Sequence, residues 1–348
     1  MPLRLGRGAV WRQTAVWLGV VGILVFIATS HTQTALRVLQ TLRQGHPLWI
    51  GVAVLLQGVF FVLQAALWKT CLDAAGVRSR VFSLLPVWFA SLFVSAVLPT
   101  AGPGVFLLDA HRRGESIART TAAALLVRVA DFASLLPLVL SALFFLRARN
   151  ELHPYQLGAA FVFVLLTLAW AAPLYLANRY PARWERFINN IVCRVNTLLQ
   201  RLQKGASWSS QAGHDFTQSA AHLSHSPARL FLPFVTGITA HLIDIASLGA
   251  LCRAFGQSVS AGATVCAFAV AVLFWVVGIT PQGVGVVEGA MAGAFSALGM
   301  PLAPALAISL AFRGLTLYLP LLIGVFFARR FFAPSARLSP AVVSASSL

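Results

Sequence analysis

The sequence predicts an all-α integral membrane protein with about six full spans and two re-entrant helical hairpins. These form an inverted-topology repeat with both termini cytoplasmic. Three observations carry this expectation. The 348 residues are 58% hydrophobic and 10% charged, with a mean hydropathy of +0.81, whereas soluble domains carry about 25% charged residues. Six apolar segments are long enough to cross roughly 30 Å of hydrocarbon as helices. Two further apolar stretches are interrupted by similar Pro/Gly sequences. Such a composition excludes an ordinary cytosolic enzyme, a disordered chain and a secreted disulfide scaffold.

The formal net charge is +17, from 26 Lys and Arg against 9 Asp and Glu. A basic protein invites nucleic acid as a partner, but long apolar segments leave no continuous basic face. Basic residues flanking membrane spans explain the charge better, and no nucleic-acid partner is expected. Cys71, Cys193, Cys252 and Cys266 are widely spaced, which suggests neither a zinc site nor a disulfide framework. No metal or cofactor is expected.

The first repeat, residues 1–150, opens with Arg4, Arg7 and Arg12 and a span at about 12–30. It is read as a membrane helix, not a cleaved signal peptide, because so many spans follow. A second span covers about 48–69. The stretch 84–111 is broken by Leu98-Pro99-Thr100-Ala101-Gly102-Pro103-Gly104, and a span at 118–146 follows. The second repeat, residues 151–330, has spans at about 155–177 and 230–252. Its broken stretch, 261–299, contains Ile279-Thr280-Pro281-Gln282-Gly283-Val284-Gly285. A last span at 304–328 leads to a short cytoplasmic tail, 331–348. Proline removes a backbone donor and glycine favours non-helical dihedrals, so each break should end a helix in mid-membrane.

Basic residues decide whether the broken stretches cross. With both as hairpins and the N-terminus inside, 19 Lys and Arg fall inside, 5 outside and 2 within spans. That is a strong positive-inside bias. A single crossing by the first stretch moves the basic segment from Arg179 to Arg229 outside, and the bias disappears. The Gly102-x-Gly104 and Gly283-x-Gly285 motifs are offset by 181 residues, close to the offset between the spans beginning near 48 and 230. Each half reads span, span, hairpin, span, and the halves start on opposite sides. Inverted repeats with broken helices place transporter sites at the repeat interface.

Residues 183–204 are different. Trp184, Phe187, Ile188, Ile191, Val192, Val195, Leu198, Leu199 and Leu202 fall on one helical face. Arg183, Arg186, Arg194, Arg201 and Lys204 occupy the rest. A basic amphipathic helix lying in the cytoplasmic interface is expected, attracted to anionic headgroups. Gly205 to Ser226 reads as a polar loop, and its His214, His222 and His225 as linker residues.

Ionisable groups at membrane depth are costly and mark pathways or structural bridges. Arg128 and Asp131 stand three apart on one span, as do His241 and Asp244 on another, so each pair shares a helical face. Arg313 lies in the last span. Glu288 falls in the first turn of the second return helix, where a carboxylate suits the positive dipole end. Arg128 and Arg313 hold comparable places in the two halves, so the repeat would bring both toward one axis. Guanidinium matches phosphate in bidentate geometry, with Glu288 as a standing counter-ion. A helix beginning after Gly285 would also aim free N–H groups into the membrane. Thr280, Pro281, Gly283 and Gly285 of the second break, and Pro99, Gly102 and Gly104 of the first, complete the candidate translocation site. No catalytic residue is assigned.

These residues also carry a resemblance. Leu98-Pro99-Thr100-Ala101-Gly102, His111-Arg112-Arg113-Gly114 and Leu126-Val127-Arg128-Val129-Ala130-Asp131 resemble the first motif block of the lysylphosphatidylglycerol synthase transmembrane-region family. Thr280 to Ala290, followed by Phe312-Arg313-Gly314 and Leu319-Pro320, resembles the second. The likeness covers essentially the whole chain. It implies a lipid-translocating bundle like the flippase half of the multiple peptide resistance factor, and no lysyl transfer, because the soluble synthase domain is absent. Gln282 stands where the family usually has the first Gly of Thr-Pro-Gly-Gly.

The leading expectation is a lipid flippase or scramblase of the bacterial inner membrane, moving a phosphate-bearing phospho- or glycolipid between leaflets. Its partners would be anionic lipids and a lipid-synthesis protein. Only Lys69 and Lys204 are lysines, and neither sits in a phosphate-binding loop, so the chain is not itself an ATP-driven pump. An ion-coupled transporter of a small solute fits the same architecture. An intramembrane enzyme using His241 and Asp244 as base and orienter, and an assembly partner, are further alternatives.

Overall fold

A computed structural model describes residues 45–98, 101–201, 212–224, 227–277 and 281–332. The expected span at 12–30, Pro99, Thr280, His225 and nearly all of the tail lie outside them. Regular structure among the described residues is wholly helical. In order, the elements are α1 (Pro47–Ala74), α2 (Val81–Val97), α3 (Pro103–Arg112), α4 (Ile117–Ala148), α5 (Pro154–Arg179) and α6 (Pro181–Arg201). Then come α7 (Ala212–Ser224), α8 (Pro227–Ala254), α9 (Ala261–Val277), α10 (Val286–Ala297), α11 (Leu302–Arg313) and α12 (Leu319–Phe332). A 3-10 turn, Pro281–Gly283, precedes α10, and a π turn, Gly314–Tyr318, joins α11 to α12.

Five helical segments are long and apolar enough to span a membrane: Pro47–Ala74, Ile117–Ala148, Pro154–Arg179, Leu230–Ala254 and Leu302–Arg329. They coincide with five of the six expected spans, and the chain is a multi-pass integral membrane protein. Each broken stretch forms two shorter helices packed on one another, α2 with α3 and α9 with α10.

Local chemistry sets the boundaries. Pro47, Pro103 and Pro154 sit in the first turns of their helices, where a missing N–H costs nothing. Gly76 and Gly256 take positive φ just past α1 and α8, and Gly114 and Gly299 do so past α3 and α10. At each, the next N–H reaches back to close the helix, as in Val77 N to Leu72 O at 2.8 Å and Gln257 N to Cys252 O at 2.9 Å. That is the Schellman pattern. The same stop signals thus recur in both halves, in the same order.

Packing follows the recurrence. α1 packs on α8, its counterpart in element order; α2 packs on α12, and α9 on α4. Exchanging the halves maps this pattern onto itself. One apolar core joins α8, α9, α10 and α11 to the later part of α4. A second joins α1, α2, α3 and the early part of α4 to α12. α5 lies at the periphery, with 11% of its apolar window buried against 50% for Leu230–Ala254.

One expectation is corrected and two are refined. The polar segment 205–226 is not all loop, since Ala212–Ser224 forms α7. Phe216 and Ala220, one turn apart, seat it against Ala122 and Ala177. Its His214 is 3.1 Å from Glu185 of α6. The amphipathic helix is present, but its apolar face is shared: Trp184 and Ile188 pack on that same cluster, while Phe187 and Ile191 stay exposed. Finally, the last span is interrupted. Pro320 cannot donate to the carbonyl of Thr316 and crowds it, and the helix widens into the π turn there.

Candidate functional site

The two apolar cores meet at a cavity of about 250 Å³. Gln64 of α1, Ser91 and Ser95 of α2, Arg128 and Asp131 of α4, and His241 and Asp244 of α8 reach its wall, as do Gln282, Arg313 and Thr316. Residues from both halves thus place charge in the middle of helices that are otherwise apolar.

Pairing inside this cluster runs between helices, not along them. Sequence spacing put Arg128 with Asp131 and His241 with Asp244. The structure instead sets Asp131 Oδ1 3.2 Å from His241 Nε2, joining α4 of one half to α8 of the other. The i, i+3 partners share a helical face but turn to different neighbours. Asp244 lies beside Gln57, His241 and Arg313, and its Oδ1 is buried without a hydrogen-bond partner.

Arg313 does have an acid. Its Nε donates to Glu288 Oε1 at 3.1 Å and its Nη2 to the Gln282 carbonyl at 2.7 Å. Side-chain exposures of 11% for Arg313 and 6% for Glu288 make this a buried ion pair, whose loss on one side leaves an uncompensated charge. Glu288 Oε2 also accepts from Gly285 N at 2.7 Å. One carboxylate therefore caps α10 and neutralises Arg313, combining the two roles that sequence reasoning held apart.

The backbone of the second break is shaped for this clamp. Gln282, Gly283 and Gly285 all have positive φ, at 55°, 67° and 84°. At Gly283 a Cβ would come within 2.6 Å of Val287 Cγ2. Gln282 is a non-glycine residue in the left-handed region, which costs about 1–2 kcal/mol. That conformation turns its carbonyl to Arg313. Pro281 opens the 3-10 turn.

The first break is built differently. Gly102 lets α3 approach α2, since a Cβ there would fall on Ser95 Oγ and lie 2.6 Å from the Ser91 carbonyl. Gly104 has open space around it. Neither glycine lines the cavity. Where α10 has Glu288 as its third residue, α3 has Val105, buried in the apolar core. Asp109 sits later and pairs with Arg113 at 2.8 Å. Arg128 consequently has no hydrogen bond and no ion pair within 4 Å among the described residues; Asp131, on the same helix, is an opposite charge near it.

Gln57, Gln64, Ser91, Ser95 and Thr316 were missed by sequence reasoning. Gln57 and Gln64 offered a signal: two amides two turns apart on one face of an apolar helix. The serines and Thr316 gave none, because small hydroxyls are common in membrane helices.

A cavity bordered by two broken helices and two intramembrane arginines matches a known sequence profile. The profile described as lysylphosphatidylglycerol synthase TM region matches residues 15–324. The chain belongs to the lysylphosphatidylglycerol synthase transmembrane-region family. Among curated relatives, a UPF0104 membrane protein of Archaeoglobus fulgidus is 24% identical over 289 residues, covering 80% of this chain and 86% of the relative. No solved structure matches. The described part of the second motif block, Pro281 to Ala290, forms the turn, cap and counter-ion around Arg313, and the first block carries Arg128.

Proposed function

We propose that this protein translocates phosphate-bearing lipids between the leaflets of a bacterial cytoplasmic membrane. The observation that carries this reading is Arg128, a guanidinium on a membrane-depth cavity with no hydrogen bond or ion pair within 4 Å among the described residues. An intramembrane arginine held by no salt bridge is expensive, and its planar fork matches phosphate in bidentate geometry. A cavity of about 250 Å³ takes a headgroup, with the acyl chains left in the bilayer.

The expected inverted repeat with two re-entrant hairpins belongs to the same reading. At about 1.5 Å per residue, the 17-residue α2 and α9 and the 10- and 12-residue α3 and α10 all fall short of roughly 30 Å. Two arms this short, packed on one another, fit a hairpin that enters and leaves on one side. Lys69 and Asp73 at the end of α1, Arg119 at the start of α4 and Leu232 at the start of α8 border one cavity. Those ends are the ones the positive-inside bias assigns to the cytoplasm. A small soluble anion would also fit the central cavity, which keeps solute transport as the second reading.

The test is reconstitution of the purified protein into phosphatidylcholine vesicles carrying fluorescent phosphatidylglycerol. Dithionite should bleach well beyond the outer-leaflet half, whereas protein-free vesicles stop near half. Bleaching that stops near half with protein present rejects lipid translocation, and uptake of radiolabelled glycerol phosphate by the same vesicles would then favour the solute reading.

A further inference from the structure

We propose that Asp131, His241 and Asp244 form a proton site coupled to the headgroup site at Arg128, so that one proton accompanies each monoanionic lipid. This rests on the lipid-translocation reading and adds its driving force.

The first ground is geometry. His241 and Asp244 are 6% and 7% exposed, on the most buried span, and both line the cavity that Arg128 lines. His241 Nε2 faces Asp131 Oδ1 at 3.2 Å. A proton on the imidazole turns that contact into an ion pair between the halves, and its loss weakens the same contact. Buried and without a hydrogen-bond partner, Asp244 Oδ1 supplies a second place for a proton. Proton occupancy thus bears on one of the contacts that join the halves, as coupling requires.

The second ground is charge. The groups facing the cluster can be counted from every packed element. α4 supplies Arg128 and Asp131, α8 His241 and Asp244, α10 Glu288 and α11 Arg313. Tyr318 of the π turn lies near Glu288 and Arg313. α1 adds the thiol of Cys71 near Asp131, with Lys69 and Asp73 paired at its end. The one titratable residue of α9, Cys266, lies instead near Glu151 and Arg149, and α2 has nothing titratable. With His241 neutral and the carboxylates ionised, three acids face two arginines, and the cluster carries one negative charge. A phosphodiester docking on Arg128 would make that two, in a site shielded from water where like charges repel strongly. Taking up one proton restores the original charge. By linkage, anion binding must then draw a proton from solution.

The balance is simple. One proton from the side of entry binds His241 or Asp244 as the headgroup meets Arg128, and both leave on the far side. A monoanionic lipid with one proton moves no net charge, so the cycle should follow a pH difference and ignore membrane potential.

The experiment mixes the detergent-solubilised full chain with dihexanoyl-phosphatidylglycerol in weakly buffered solution and reads proton uptake with a pH indicator. Bound lipid is measured in parallel by equilibrium dialysis. The expected result is close to one proton taken up per lipid bound, and fewer protons per lipid bound in His241→Gln and in Asp244→Asn protein, each compared at equal bound lipid. Lipid binding without proton uptake in the wild type overturns the proton site and leaves lipid recognition standing. No binding of this lipid at all overturns both. Undiminished uptake in both variants overturns the assignment to these residues. In vesicles, a pH difference of one unit should shift the final leaflet ratio about tenfold, because one unit is tenfold in proton activity. A potassium-diffusion potential should leave that ratio unchanged, and a shift with potential instead would also overturn the proposal.

Discussion

Arg128 and Arg313 are the same residue type at the same place in two halves, and they do opposite things. Each is the twelfth residue of the helix that follows its hairpin, counted from Ile117 and from Leu302. Arg313 is held by Glu288 and by the Gln282 carbonyl. Arg128 is held by nothing within ion-pair range among the described residues. The difference traces to one position, the third residue of each return helix: Glu288 in α10 and Val105 in α3. One half therefore clamps its own break, and the other leaves an arginine with no ion-pair partner among the described residues.

The largest effect should come from breaking the clamp. Arg313→Ala leaves Glu288 buried and unpaired, and breaking such a pair by one partner costs about 3–5 kcal/mol. Thermal unfolding in detergent should show a marked loss of stability, whereas Arg128→Ala, which breaks no ion pair within 4 Å among the described residues, should cost clearly less. Equal losses would erase the distinction between the two arginines. Next in size, Gly102→Ala forces a methyl onto Ser91 and Ser95 and should cost about 1–3 kcal/mol, while Gly104→Ala, with open space, should unfold like the wild type. A smaller effect, of opposite sign, is expected at the second turn. Gln282→Gly removes the left-handed penalty and should gain about 1 kcal/mol, because the carbonyl that holds Arg313 is retained; a loss would mean the Gln282 side chain matters there.

These contrasts also show what could be read from the sequence. Composition and span length gave the helical membrane protein directly, since hydrocarbon thickness fixes how long an apolar helix must be. The breaks were legible because proline and glycine act on the backbone locally. Arg128, Asp131, His241, Asp244, Glu288 and Arg313 stood out as charges in apolar runs, and all but Glu288 line the cavity; Glu288 sits against it through Arg313. Their partners were not legible. Spacing along a helix says which residues share a face, but Asp131 meets His241 only because α4 packs on α8. α7 was hidden for a related reason, because two small apolar contacts, Phe216 and Ala220, are too few to stand out until α6 and α4 offer a surface for them.

The central claim is that the free arginine, not the clamped one, receives the ligand. Its most direct test is translocation of fluorescent phosphatidylglycerol by Arg128→Ala protein in phosphatidylcholine vesicles, with the unfolding temperature measured on the same preparation. Translocation should fall to the protein-free level at an unchanged unfolding temperature. Wild-type translocation by that variant would contradict it.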